Sequence, residues 1–218
     1  MRVKICGITK PEQGRAIALY GATALGFICV PQSPRYVIPQ QIADIIAELP
    51  APSQHRQPLD LVGVFADAEI SMIEAVMAIA PLTAIQLHGH ESPQFCQDVK
   101  RQVPHAEIIK VLRVRSLDAL TQSQCYEPVV DTLLLDAYHP HLLGGTGITV
   151  DWSILKNFYP TRPWLLSGGL NPDNVADALT HIQPDGIDLS SGVESQPGTK
   201  NLTKVARLFE QLQTIKAS

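Results

Sequence analysis

The sequence contains few cysteines and no metal-binding motif, and these absences exclude two kinds of stabilising cross-link. Four cysteines (Cys6, Cys29, Cys96 and Cys125) among 218 residues are too few for a disulfide scaffold. They form no C-x-x-C pair, and the histidines form no H-x-x-x-H pair, so a structural zinc site has little support. We therefore expect neither a disulfide framework nor a bound metal.

The chain also lacks a basic stripe and a long apolar run. Seventeen Lys and Arg residues against 21 Asp and Glu residues give a net charge of -4, without a long run of either sign. A nucleic-acid-binding protein would normally show a basic stripe. No segment approaches the roughly 20 apolar residues that span a bilayer, and MRVKICGITK lacks the apolar core of a signal peptide. The sequence predicts a cytoplasmic protein with neither nucleic acid nor a membrane as partner.

What the chain does contain is a short apolar segment that recurs eight times. Each segment is rich in Val, Ile, Leu or Phe, which is the composition of strands buried on both faces of a parallel sheet. The predicted strands are 2–6, 24–29, 59–65, 83–89, 107–114, 131–137, 163–169 and 186–192.

Segments with helical periodicity lie between the predicted strands. Residues 39–49 place three isoleucines on one stripe behind Pro39. Ser92 before Pro93, and Asn171 before Pro172, each predict a helix N-cap followed by the first helical residue. The C-terminal helix has five apolar residues on one face, namely Leu202, Val205, Leu208, Phe209 and Leu212.

Eight strands that alternate with helices predict an α/β fold, a (β/α)8 TIM barrel that forms one domain over residues 1–218. The alternative is a doubly wound open sheet. Such a sheet usually has fewer strands and gives no reason for eight repeats of the unit.

In a (β/α)8 barrel, the active site forms at the C-terminal ends of the strands. The first strand ends at Cys6 and the sixth at Asp136. A thiol and a carboxylate would thus face each other across the barrel mouth, and such a pair suits proton transfer on a small molecule. From the residues alone, Asp136 could equally order a loop, and Cys6 could be an inert core residue, as free cysteines usually are.

Two donor-rich loops follow the seventh and eighth strands, where barrels often bind phosphate. Gly168 and Gly169 permit close backbone approach ahead of a helix, whose N–H groups and dipole attract anions. Ser190, Ser191 and Gly192 add hydroxyl and amide donors. These loops predict a small phosphorylated ligand.

Three further features have two interpretations each. GGTG at 144–147, with Gly145 and Thr146, lacks the pattern of a nucleotide P-loop, and it is either a loop that folds over a ligand or a tight turn. Arg35 could bind a carboxylate as a fork or be solvated at the surface. His88 ends the fourth strand, where we expect a packed or capping histidine rather than a catalytic one. The acid–base chemistry predicted here needs no metal or organic cofactor.

Several motifs in a fixed order make the chain resemble the phosphoribosylanthranilate isomerases of tryptophan biosynthesis. The resemblance runs nearly from end to end, and the ordered set is far more specific than any one motif. The motifs are KICGIT, LGFI…SPRYV, GVF, QLHGHES, LLDA…GGTG…DW, SGGLNPDNV and GIDLSSGVESQPGTK.

The resemblance implies an Amadori rearrangement of N-(5-phosphoribosyl)anthranilate to 1-(2-carboxyphenylamino)-1-deoxyribulose 5-phosphate. It implies that Asp136 is the general acid, which protonates the furanose ring oxygen, and that Cys6 is the general base, which takes the proton from sugar C2. It further implies that Arg35 pairs with the anthranilate carboxylate, that Asp188 lies near the sugar, and that the two donor-rich loops bind the phosphate.

The sequence departs from the family pattern at two positions, and three other functions are alternatives to the one that the resemblance implies. Thr23 stands where the family often has Asp, and Val150 where an aromatic residue is common, which puts the packing around the site in question. The rivals are the histidine-pathway isomerase, which works with two aspartates, indole-glycerol-phosphate synthase, which uses Lys and Glu, and a non-catalytic phosphosugar-binding barrel. Cys6 argues against the first two, and the presence of both Cys6 and Asp136 argues against the third.

Strand alternation gives one more expectation. If Cys6 points into the barrel mouth, Lys4 points into the interior two residues below. A buried ammonium needs a carboxylate partner, and Asp188 on the neighbouring eighth strand is the candidate. The absence of a large exposed apolar motif predicts a monomer.

Overall fold

The computed structural model describes residues 1–51, 58–114, 117–136 and 152–217. Eight parallel strands follow one another in chain order, and the eighth pairs with the first, so the sheet closes into a barrel. The predicted barrel is confirmed, and the open sheet is excluded by this closing pair. The strands are β1 (Arg2–Cys6), β2 (Ala24–Ile28), β3 (Asp60–Phe65), β4 (Ala84–Leu87), β5 (Glu107–Arg113), β6 (Thr132–Asp136), β7 (Trp164–Ser167) and β8 (Gly186–Leu189).

Seven α-helices are described around the barrel. They are α1 (Pro11–Tyr20), α2 (Pro39–Ala47), α3 (Ile70–Ile79), α4 (Pro93–Gln102), α5 (Leu117–Tyr126), α6 (Val175–His181) and α7 (Leu202–Ala217). A 3-10 turn at Trp152–Leu155 precedes β7, and a two-stranded hairpin of β9 (Glu194–Gln196) and β10 (Thr199–Lys200) follows β8. The sequence pattern did not indicate the hairpin. No helix among the described residues has the length and apolar character to cross a membrane.

Two predicted helix starts have different outcomes. The Ser92 hydroxyl accepts a hydrogen bond from the Phe95 N–H at 3.2 Å, so the predicted N-cap of α4 is confirmed. The predicted start at Asn171 is wrong, because α6 begins only at Val175. The side-chain oxygen of Asn171 accepts from the backbone N–H groups of Asp173 and Asn174. These bonds stabilise a turn ahead of the helix, as Asn side chains often do.

Alternate strand residues divide between two cores. Outward residues pack against the helices in the larger one. Inward residues form a smaller apolar cluster of Ala24, Val62, Ala84, Ile109, Val111, Leu134 and Leu165.

Lys4 also points inward, and its ammonium lies 2.9 Å from the Asp188 carboxylate with no exposed side-chain surface. Burial alone would lower the pKa of Lys4, but Asp188 and Cys6 outweigh it and raise that pKa. The expected partner of Lys4 is therefore confirmed.

The same type of hydrogen bond occurs four times at the N-terminal end of the barrel and joins the strands in pairs. The residue just before each even-numbered strand accepts, through its side-chain oxygen, the N–H of a residue at the start of the preceding strand, at 2.8 to 3.0 Å. We call these four contacts the strand clasps. They join Thr23 to Val3, Thr83 to Leu61, Asp131 to Ile108 and Asp185 to Trp164. Threonine is the acceptor in two of these clasps and aspartate in the other two.

Candidate active site

A cavity of about 340 Å³ lies at the C-terminal ends of the strands. Its lining includes every predicted site residue that the structure describes, namely Cys6, Arg35, Asp136, Gly168, Gly169, Asp188, Ser190, Ser191 and Gly192. Gly145 and Thr146 lie outside the described residues, as does Val150. A larger cavity, of about 570 Å³, lies against α5 and contains none of the predicted residues. We therefore identify the smaller cavity as the candidate site.

Cys6 is the last residue of β1, and its thiol points into the cavity. A Cβ placed on Gly26 of the neighbouring strand would lie 2.7 Å from the Cys6 Sγ, so only glycine at that position leaves room for the thiol. Burial raises the pKa of Cys6; Lys4 opposes this, Asp188 adds to it, and Lys200 opposes it. In the free protein the group is therefore a thiol beside a buried cation, which favours its conversion to thiolate.

Two other cysteines show what an inert thiol looks like in this fold. Burial raises the pKa of Cys29 to about 12 and that of Cys96 to about 11. Both side chains belong to the core between the strands and the helices, and neither lines the cavity. Cys6 differs from them in facing the cavity.

Asp136 ends β6, and its carboxylate Oδ2 lies 4.0 Å from the Nε2 atom of His88. The other ring nitrogen of His88, Nδ1, lies 3.3 Å from the side-chain nitrogen of Gln86. Burial lowers the pKa of His88, and Asp136 opposes this effect. The sequence analysis placed His88 at the end of the fourth strand as a packed or capping residue and did not single out Gln86, whereas both line the cavity. The signal was present, because 86 and 88 are polar alternate positions at the end of an apolar strand.

The two loops predicted to bind phosphate touch each other. Gly168 and Gly169 have φ values of 99° and 69°, in the region that favours glycine. A Cβ on Gly192 would lie 1.9 Å from the Leu170 carbonyl oxygen, so the second loop can approach the first only through a glycine. The Ser190 hydroxyl donates a hydrogen bond to the carbonyl of Cys6 at 3.1 Å, which ties this pair of loops to β1.

Arg35 forms an ion pair with Glu194, a residue that sequence reasoning missed. The Nε and Nη2 atoms of Arg35 donate to the Glu194 carboxylate at 2.9 and 2.6 Å. Lys200 donates to the same carboxylate at 2.7 Å from a fully buried position. Burial would raise the pKa of Glu194, but the hydrogen bonds from Arg35 and Lys200 outweigh it and lower that pKa. Arg35 is thus held at the cavity by a carboxylate rather than solvated at the surface.

Gly7 makes room for this arginine. Its φ of 80° is left-handed, and a Cβ there would lie 2.7 Å from the Cδ atom of Arg35. The glycine that follows Cys6 in the KICG motif therefore sets the chain turn after the thiol and the path of Arg35 together.

Taken together, the cavity offers a thiol, a carboxylate beside an imidazole, a guanidinium and two loops rich in N–H and hydroxyl groups. These groups can bind an anionic small molecule and move protons on it. Among the described residues, no group of three or more His, Cys, Asp or Glu side chains is placed to hold a metal ion.

Comparisons with known proteins agree with this chemistry. The family model described as N-(5'phosphoribosyl)anthranilate (PRA) isomerase matches residues 3–211. An N-(5'-phosphoribosyl)anthranilate isomerase from Rippkaea orientalis is 59% identical over 213 residues, which cover 98% of this chain and 96% of that protein.

Solved structures are similar over the same range. The phosphoribosyl anthranilate isomerase of Thermotoga maritima has a TM-score of 0.85 and 34% identity, covering 98% of this chain and 99% of that one. A phosphoribosyl anthranilate isomerase in complex with reduced 1-(o-carboxyphenylamino)-1-deoxyribulose 5-phosphate has a TM-score of 0.82 and 32% identity, with coverage of 98% and 99%.

Proposed function

This chain belongs to the N-(5'-phosphoribosyl)anthranilate isomerase family, and on that premise we propose that Asp136 and Cys6 are the acid and base of its reaction. The protein is an isomerase of tryptophan biosynthesis. Its reaction would convert N-(5-phosphoribosyl)anthranilate to 1-(2-carboxyphenylamino)-1-deoxyribulose 5-phosphate. The observation that carries the proposed roles is that a thiol at the end of β1 and a carboxylate at the end of β6 line one cavity with two donor-rich loops.

Binding fixes the two ends of the substrate. The loops around Gly168 and Gly192 receive the phosphate, and Arg35 receives the anthranilate carboxylate. Because Arg35 already donates to Glu194, its guanidinium is held in one orientation before the substrate arrives. A preorganised guanidinium loses less conformational entropy when it binds a carboxylate.

The reaction begins with two proton transfers, and a tautomerisation completes it. Asp136 protonates the furanose ring oxygen, and the ring opens to a protonated Schiff base. Cys6 then takes the proton from sugar C2, which gives an enolamine that tautomerises to the ketone. The cationic Schiff base lowers the pKa of the adjacent thiol, as an opposite charge favours the ionised form. The lysine next to Cys6, Lys4, acts in the same direction.

The test is a fluorescence assay with freshly generated phosphoribosylanthranilate. We expect Cys6→Ser and Asp136→Asn each to lower kcat by on the order of 10²-fold or more. Cys125→Ser, which changes an exposed thiol, is the matched control and should retain full turnover. Decay of the substrate at the buffer rate with wild-type protein would refute the catalytic proposal and leave the phosphosugar-binding barrel as the function.

Oligomeric state, domain organisation and location stay predictions. We infer one domain over residues 1–218 because the sequence has no linker-like segment, a cytoplasmic location because it has no apolar run long enough to span a bilayer, and a monomer because it has no large exposed apolar motif. Light scattering on the purified protein measures the mass directly, and a mass twice that of the chain would contradict the monomer.

A further inference from the structure

Gln86 and His88 occupy alternate positions at the cavity end of β4. Gln86 is 1% exposed, and the His88 side chain is 34% exposed. The backbone of His88 is fixed on both sides, because its N–H donates to the Phe65 carbonyl at 2.8 Å and its carbonyl accepts from Arg113 Nη2 at 3.3 Å. The imidazole therefore projects from a backbone that is tied to both neighbouring strands.

A buried ion pair fixes the residues on either side of His88 as well. The ammonium of Lys110 lies 2.6 Å from Glu91, and each side chain is 2% exposed. Lys110 also donates to the carbonyls of Leu87 and Gly89, at 3.2 and 2.9 Å. Such a bonded segment restricts how far the imidazole can move.

The contacts of the two ring nitrogens distinguish the tautomers of His88. In this orientation of the Gln86 amide, its nitrogen lies 3.3 Å from Nδ1 and can only donate a hydrogen bond, while its buried Oε1 has no hydrogen-bond partner among the described residues. Nδ1 must then accept, and a neutral imidazole carries its proton on Nε2. This proton points towards the Asp136 carboxylate, 4.0 Å from Nε2. The opposite tautomer would direct an N–H at the amide N–H of Gln86, which is repulsive.

We propose that Gln86 is a positioning residue, which holds His88 as the Nε2–H tautomer so that the imidazole donates a hydrogen bond to Asp136 when that group becomes a carboxylate. The inference rests on the proposed role of Asp136 as general acid. Loss of the proton to the substrate leaves a negative charge on Asp136, and a donor already aimed at that charge stabilises it. The 4.0 Å separation must shorten in the complex, as catalytic hydrogen bonds commonly do.

Burial, more than the surrounding charges, keeps His88 neutral. Burial lowers its pKa, Asp136 raises it, Lys4 and Arg113 lower it, and Asp188 raises it. Because the net direction is downwards, the ring at neutral pH is an uncharged imidazole with one proton, for which the choice of tautomer matters.

The direct test is ¹⁵N NMR of the wild-type protein, with the His88 signals identified by their loss in His88→Asn. We expect Nε2 to be protonated and pyrrole-like and Nδ1 to be unprotonated and pyridine-like. Protonation of Nδ1, or an average of the two tautomers, would overturn the proposal. This measurement requires no activity, so it is independent of the catalytic role of Asp136.

Gln86→Glu then tests the consequence for turnover. The new carboxylate accepts from Nδ1, so we expect a proton on that atom, a raised pKa for His88 and a kcat lowered on the order of 10-fold to 100-fold, with KM changed much less. The pH profile of kcat should shift with the pKa of His88. His90→Asn is the matched control, since His90 is exposed on the same loop and contacts Asp67 instead.

The outcomes separate the two proposals. Normal kcat and an unshifted pH profile in folded Gln86→Glu would remove the positioning role. Normal kcat in Asp136→Asn would instead refute the role of Asp136 as the general acid. The tautomer of His88 is measured in the wild-type protein, so that result does not depend on the role of Asp136.

Discussion

The ammonium of Lys4 and the carboxylate of Asp188 lie 2.9 Å apart inside the barrel, two residues below the Cys6 thiol. They belong to the first and last strands, which pair at this register. The ion pair therefore joins the two ends of the sheet and places a positive charge beside the thiol. Stability and the chemistry of the thiol depend on the same contact.

Lys4→Met should destabilise the protein strongly. The substitution leaves the Asp188 carboxylate buried without its cation, which costs about 3–5 kcal/mol of unfolding free energy. Adding Asp188→Leu removes the buried unpaired charge and should recover most of the lost unfolding free energy. Urea unfolding of the single and double variants measures both effects, and a single variant as stable as the wild type would contradict the prediction.

Gly26→Ala should lower kcat by more than its loss of folding stability can account for. The added methyl would lie 2.7 Å from the Cys6 Sγ and must displace the thiol, and misplacing a reacting group by about 1 Å can lower kcat by on the order of 10²-fold. Gly63→Ala is the control, because its methyl would meet Leu82 and Phe65, away from the site. We expect both variants to be less stable and only Gly26→Ala to lose activity; equal kcat values at a temperature where both are folded would refute this.

Gly192→Ala should weaken phosphate binding. Its Cβ would overlap the Leu170 carbonyl oxygen at 1.9 Å and must force the two loops apart. We expect Kd for inorganic phosphate, measured by calorimetry, to rise on the order of 10-fold, which corresponds to about one lost charged hydrogen bond. Gly21→Ala, at the remote end of α1 with a φ of 112°, strains the backbone without touching the loops. Its phosphate affinity should match that of the wild type.

Glu194→Gln should cost stability at neutral pH and progressively less in acid. The pKa of Glu194 is lowered in the folded protein, below an unfolded value of about 4.3. A lowered pKa means that the stabilisation is complete above the unfolded pKa and is lost as the pH falls through the folded one. The wild type and the variant should therefore converge in unfolding free energy on acidification. Glu210→Gln, an exposed change on α7, is the control, and a constant gap in Glu194→Gln would contradict the assignment.

Thr23→Asp and Thr23→Val should separate two contributions to a strand clasp, namely the hydrogen-bond acceptor and the size of the side chain. The Thr23 hydroxyl accepts from the Val3 N–H at 2.8 Å. Aspartate supplies the same acceptor, as it does at two other clasps, and should leave stability nearly unchanged. Valine keeps the shape but leaves the N–H without a partner, which costs about 1–3 kcal/mol. Thermal unfolding of the two variants decides, and equal losses would show that the hydroxyl contributes only its size.

Most of the fold was predictable because short runs rich in Val, Ile, Leu or Phe recur eight times and alternate with segments of helical periodicity. All eight predicted strands exist, but several end earlier than predicted. The fourth stops at Leu87 instead of 89, and the eighth at Leu189 instead of 192. The excess residues belong to the loops that form the cavity, where polar and glycine residues continue the pattern of the strand without pairing.

A residue of the site could be predicted from the sequence only where a single structural rule fixes its position. Strand ends placed Cys6 and Asp136 at the cavity, and alternation with barrel closure placed Lys4 against Asp188. The contact between Arg35 and Glu194 could not be foreseen, because Glu194 belongs to the hairpin of β9 and β10. Strands of three and two residues leave no periodic trace in the sequence, and the contact joins positions 159 residues apart.

The strand clasps also bear on the order in which this chain assembles. Each clasp joins residues only 20 to 23 positions apart, whereas the contact of Lys4 with Asp188 spans 184 positions. The entropy of closing a loop grows with its length, and short-range contacts form faster. We therefore expect four strand–helix–strand units to form early and independently. The pairing of β1 with β8, which closes the barrel, would form last. The same pairing would be the first to break when the protein unfolds.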